Sequence, residues 1–136
     1  MSLDYLNAVY SQSKTTGASR FLLVTLAHHA DKFGVCWPGV ETLAAEQAVT
    51  PRTLQKTLHA LRQSGEVIVI EGGGRNISNR YIITLGQSLE QVKDTLENHP
   101  DIPRLNHVNI DTLLDDKTLS ILTENPVKND RGTIKN

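Results

Sequence analysis

The chain has 136 residues, of which 38% are hydrophobic and 21% charged, so it can hold one compact domain with an appendage but hardly two full domains. Its lone cysteine, Cys36, excludes an internal disulfide and a thiolate-clustered zinc site. No apolar run approaches the ~20 residues of a bilayer span, and the N-terminus lacks a secretion signal, so a cytoplasmic protein with no membrane partner is expected. The net charge of −1 conceals an asymmetry, because eight Lys/Arg stand against six Asp/Glu through residue 85, and six against nine thereafter.

In chain order, Leu3, Leu6 and Val9-Tyr10 recur at helical spacing and predict a short amphipathic helix. Residues 11–19 are polar, include Gly17 and read as a connection. Phe21 opens an apolar segment in which Leu22, Leu26 and Ala30 share a face, flanked by Leu23 and Ala27. This is a core helix, capped by Thr16 or Ser19 and stopped at Gly34. Val35-Cys36-Trp37 suffices only for a bridging strand, which Pro38 ends, and Cys36 reads as a small apolar residue. Residues 39–47 form a second helix with Val40, Leu43 and Ala44 inward. After Ala48-Val49, Thr50 caps a further helix and Pro51 takes its first position, where the missing N–H costs nothing.

Leu54, Leu58 and Leu61 set the buried stripe of that helix, and Ser64-Gly65 closes it. Val67-Ile68-Val69-Ile70 predicts a strand, residues 72–79 a glycine-rich polar hairpin loop, and residues 80–85 the returning strand. Trp37 and Tyr81 are expected in the core. Beyond Gly86, residues 88–98 predict a helix capped by Ser88, with Leu89, Val92 and Leu96 along one side. Residues 113–122 suggest another, capped by Asp111 or Thr112, and the last ten residues are expected to fray.

The segment from Leu43 to Leu54 has helix-turn-helix spacing. Ala44 permits close approach of the two helices, Val49 plugs the angle and Leu54 seats the second helix. A hairpin with a glycine-rich tip and flanking arginines follows directly. Three blocks in this order resemble the winged helix-turn-helix domains of phage and plasmid replication-type proteins. They are Gly34-Val35-Cys36-Trp37-Pro38 after the leucine-rich helix, Thr42-Leu43-Ala44 with Arg52–Lys56, and Gly73-Gly74-Arg75 with Ser78-Asn79-Arg80-Tyr81. Two positions depart from the pattern: Ala48 stands where such domains usually carry glycine, and Gly39 where they often carry serine. The tail after Gly86 shares no such likeness. The resemblance implies a mainly α fold with a small β-hairpin. A winged helix-turn-helix domain would occupy residues 1–86, and a mostly helical or irregular C-terminal tail residues 87–136. It also implies a DNA-binding role in replication initiation or transcriptional regulation of a mobile genetic element.

The residues support a DNA face independently. With the leucines inward, the helix after Thr50 turns Arg52, Thr53, Gln55, Lys56, His59 and Gln63 outward. Arg52 can grip guanine and Gln55 adenine, while Thr53, Lys56 and His59 suit phosphate, as does the Thr50 terminus. Arg75, Asn76 and Arg80 form the wing contacts, in the minor groove or along phosphate. Neighbouring His28 and His29 point ~100° apart on a helix and cannot chelate as i, i+4 histidines do. No nucleophile or paired-carboxylate motif occurs, so no enzyme, metal or cofactor is expected.

Use of the winged helix for protein–protein contact is the alternative. The stripe on residues 88–98 is too short to stand alone in water and must pack on the domain itself, on a second copy as a homodimer, or on a replication or transcription partner protein.

Overall fold

The computed structural model describes residues 3–72 and 78–123. Its elements run α1 (Leu3–Gln12), α2 (Gly17–His29), β1 (Val35–Cys36), α3 (Val40–Gln47), α4 (Pro51–Gln63), β2 (Val67–Ile70), β3 (Arg80–Ile83), α5 (Leu89–Asn98), α6 (His107–Leu113) and α7 (Asp116–Ile121). This is a winged helix-turn-helix domain with a helical C-terminal extension. The three strands form an antiparallel sheet in the order β1-β3-β2.

The register of that sheet explains its composition. Tyr81 pairs with Cys36 on one side and Val69 on the other, and Ile82 lies between Val35 and Ile68. Because side chains alternate across a strand, Cys36, Val67, Val69, Tyr81 and Ile83 join the leucines of α2 and α4 on one face. Val35, Ile68, Ile70 and Ile82 point the other way and pack against Val92, Leu96, Ile102, Ile110 and Leu114. Both faces of β2 are therefore covered, and this is why it reads as an unbroken apolar run.

The α5 stripe is thus satisfied within one chain. Val92 and Leu96 are buried against the sheet, while Leu89 remains 37% exposed. Ser88 and Gln91 close a full capping box at the start of α5. A half-buried pair fastens the extension. The His99 Nδ1 accepts from the Asp101 N–H at 3.0 Å, so its Nε2 carries the proton and donates to Asp31 Oδ2 at 2.8 Å. A second fastening lies at Gly65, with φ +81°. A Cβ there would come within 2.7 Å of the Lys117 carbonyl oxygen, so α7 can lie against this turn only because the residue is glycine.

Several expectations need correction. On α1 the buried residues are Tyr5, Ala8 and Val9, while Leu3 and Tyr10 face solvent. Thr16 holds the N-cap position of α2, although its side chain makes no capping bond. The helix stops at His29 rather than at Gly34, because the Asp31 carboxylate accepts the Phe33 and Val35 N–H groups and builds a turn. The third strand ends at Ile83. The helix expected over residues 113–122 forms as the shorter α7, and α6, which was not expected, ends at Leu113, where that helix was to begin. Leu114 leaves helical geometry, Asn106 caps α6, and Asp115 caps α7 by accepting the Thr118 N–H at 2.9 Å. Trp37 is not core but 41% exposed, and Val49, expected to plug the inter-helix angle, is 38% exposed. The expected fraying of the last ten residues falls outside the described residues.

Candidate nucleic-acid interface

The interface is built on the turn between α3 and α4. Leu43 and Ala44 anchor α3 in the core, and Ala48 then turns left-handed at φ 57°. Among the described residues no other non-glycine has positive φ. The turn is held by the Val49 N–H donating to the Ala44 carbonyl at 3.0 Å. Thr50 then restarts the chain, its Oγ1 accepting from the Thr53 N–H at 3.2 Å, with Pro51 at the first helical position. Leu54, Leu58 and Leu61 are all buried. At about 1.5–3 kcal/mol each, their burial fixes the rotation of α4 about its own axis.

That rotation decides what faces outward. Arg52, Thr53, Gln55, Lys56, His59 and Gln63 are all exposed. Thr53 is engaged by the Thr50 hydroxyl, and the Gln63 amide lies 3.2 Å from the His59 ring nitrogen. Among the described residues Arg52, Gln55 and Lys56 have no partner, and their donors are open to a ligand. Arg62, at the C-terminal end, reaches Glu71 at 3.3 Å, an exposed pair of little energetic weight.

Between α4 and the hairpin lies a cleft of about 360 Å³. Gln55, His59 and Arg62 line it from the helix, Glu71, Gly72 and Asn79 from the hairpin. Asn79 closes the neck of the hairpin, its Oδ1 accepting from the Gly72 N–H at 3.0 Å and its amide donating to the Tyr81 hydroxyl at 3.4 Å. Burial pushes the Tyr81 hydroxyl above its usual pKa, against the Asn79 bond, so it stays a neutral anchor.

Thr50, Arg52, Thr53, Gln55, Lys56 and His59 therefore share one helix and its cap. Arg80 does not join them: Ile70 is its partner in the sheet, and its guanidinium turns towards the C-terminal extension. Arg75 and Asn76 lie outside the described residues. Sequence reasoning missed Asn79 and the exposure of Trp37. No local signal gave the exposure of Trp37, which follows the two-residue strand β1 and whose cover depends on where the distant extension packs.

The histidine pair has separate occupations. His28 is exposed, whereas His29 bonds Glu46 at 2.8 Å and ties α2 to α3. Among the described residues no cluster of His, Cys, Asp or Glu could hold a metal ion, and no helix is long and apolar enough to cross a membrane. Burial, and secondarily the Asp31 charge, raise the Cys36 thiol well above its ordinary pKa, which makes it a packing residue.

No curated protein and no solved structure matches this chain. Residues 16–65, from the N-cap of α2 to the turn after α4, match the family model for a helix-turn-helix domain. With the geometry of α3, α4 and the hairpin, that match establishes that the chain carries a helix-turn-helix domain, an architecture that recognises double-stranded DNA.

Proposed function

We propose that the protein binds double-stranded DNA sequence-specifically, with α4 in the major groove and the hairpin beside it. The observation that carries this reading is the outward face of α4, where Arg52, Gln55 and Lys56 project without partners from a helix whose rotation is fixed by three buried leucines. Arg52 and Gln55 read base edges. Lys56, Thr53, His59 and the capped terminus at Thr50 hold phosphate, and Arg75, Asn76 and Arg80 extend the contact along the hairpin. The protein acts as a binding module in the cytoplasm, without catalysis or cofactor. Its role is replication initiation or transcriptional regulation of a mobile genetic element, in concert with a replication or transcription protein. The resemblance of the three sequence blocks to phage and plasmid replication-type proteins supports this context.

The test is selection of a preferred duplex followed by titration at rising salt. Affinity is expected to fall steeply with salt, because each phosphate neutralised by Lys or Arg releases counterions. Arg52→Ala should cost about 1–3 kcal/mol and relax the preference at one base position. An unchanged ranking of base variants would remove Arg52 from the reading residues. Failure of the wild type to bind any duplex at low salt would favour the protein–protein use of the fold. The α5 stripe is occupied within the chain, so one copy per DNA site is the proposed unit. A homodimer through the extension would have to use its outward residues Leu89, Val108 and Leu119, and light scattering at tens of micromolar separates the two cases.

A further inference from the structure

Arg80 is held on three sides. Its Nε donates to the Asp101 carbonyl at 2.7 Å and its Nη1 to the Ser78 carbonyl at 2.9 Å, and its guanidinium carbon lies 5.6 Å from the centre of the Trp37 ring. Every one of these partners is formally neutral. Among the described residues no carboxylate pairs with Arg80, in contrast to Arg62 and its Glu71. The Nη2 edge also lacks a partner among the described residues. Glu71 and Asp101 line the same cavity as Arg80 without their carboxylates pairing with the guanidinium, so its remaining edge is left for a ligand. Here the planar group is fixed and Nη2 is left over, the arrangement suited to a charge-assisted hydrogen bond to an oxyanion. Trp37 fits the same role. A large aromatic residue left 41% exposed gives up burial energy, and its ring face supplies a cation–π seat for the guanidinium instead.

The position is consistent with DNA. Pro38 and Gly39 connect Trp37 directly to α3, whose Val40 lines the cleft beside Gln55 and His59. A Cβ on Gly39 would lie 3.8 Å from the Ser78 hydroxyl, so this linker runs along the root of the hairpin. We propose that Trp37 is a positioning residue for DNA binding. With the Asp101 carbonyl of the C-terminal extension, it holds the Arg80 guanidinium with its free edge toward a duplex phosphate. The extension thereby sets one backbone contact of a domain it follows in sequence. This inference rests on the DNA-binding reading above.

The test uses the full chain and a fluorescently labelled duplex, with wild type, Trp37→Leu, Trp37→Phe, Arg80→Ala and the Trp37→Leu/Arg80→Ala double variant. Trp37→Leu is expected to weaken binding about three- to tenfold and to make the salt dependence shallower by about one phosphate contact, with the ranking of base variants unchanged. Trp37→Phe, which keeps a ring, should fall between. On the Arg80→Ala background Trp37→Leu should add no further loss, because Trp37 acts through Arg80. Trp37 is the only tryptophan of the chain, so its emission should also change as wild type binds duplex. Binding by both Trp37 variants equal to wild type, or a Trp37→Leu loss of the same size with and without Arg80, would overturn the inference while leaving DNA binding intact. If wild type binds no duplex at low salt, the DNA-binding reading fails, and this inference with it. Melting temperatures of each variant identify a loss that comes from unfolding. Should Trp37→Leu not fold, Trp37→Phe and the wild-type emission still decide.

Discussion

Asp31 connects three parts of the molecule with one carboxylate, accepting from the Phe33 and Val35 N–H groups and from His99. Burial opposes its ionisation, but these hydrogen bonds outweigh burial and hold its pKa below the usual 3.8. A depressed folded-state pKa means that the stabilisation is complete above the unfolded value and disappears as pH falls through the folded one. Asp31→Asn should therefore cost about 1–2 kcal/mol at pH 7, the lower part of the range for charged hydrogen bonds because the group is partly exposed. The gap to wild type should narrow below about pH 4, as urea titrations at pH 7 and pH 3 would show. At Ala48 the strain has the opposite remedy. A left-handed alanine costs roughly 1 kcal/mol more than glycine, partly offset by the extra freedom of glycine in the unfolded chain. Ala48→Gly should raise stability by about 0.5 kcal/mol without changing DNA affinity, measured by thermal melting and duplex titration. The positive φ of this turn was legible in the sequence, as a glycine position filled by alanine. The role of Asp31 was not, since its partner His99 lies far along the chain and no local pattern joins them.

Among the elements, the helix-turn-helix was the most legible, because its cap, its proline and its leucine spacing are all local. The caps of the extension show the limit of such reading. Asp111 or Thr112 was the expected cap, but Leu114 leaves helical geometry, Asp115 caps α7 instead, and α6 with its Asn106 cap was not foreseen. The unread signal was β2. Val67-Ile68-Val69-Ile70 has no polar alternation, so it could not have one wet face, yet which element covers the second face cannot be told from the strand itself. The extension provides that cover with Val92, Leu96, Ile102, Ile110 and Leu114. Truncation after Gly86 should thus leave Val35, Ile68, Ile70 and Ile82 bare and cost several kcal/mol, enough to unfold a domain of this size. The check is circular dichroism and light scattering of the truncated chain. A soluble, folded product with an unchanged melting temperature would show that the second layer is dispensable.

At the scale of the molecule, the sheet divides two unlike layers. The first carries the helix-turn-helix and the excess of bases, whereas the extension brings exposed Glu90, Glu97, Asp111, Asp115 and Asp116. This partition keeps α5 and α6 with their acids over the sheet face opposite α4, while α7 rests at the C-terminal end of α4. A chain of net charge −1 thus still offers the basic start of that helix to a polyanion. The two-sided sheet also has a consequence in time. A ribosome adds about 5–20 residues per second, so the hairpin emerges from under one to about six seconds before the residues that will cover its outer face. Through that interval the nascent chain displays a β-branched apolar surface beside open strand edges, the kind of segment that pairs with its own kind. Polysomes crowd such half-made chains together. The order of synthesis, rather than the finished fold, is thus where this protein is most exposed to aggregation and to the attention of chaperones.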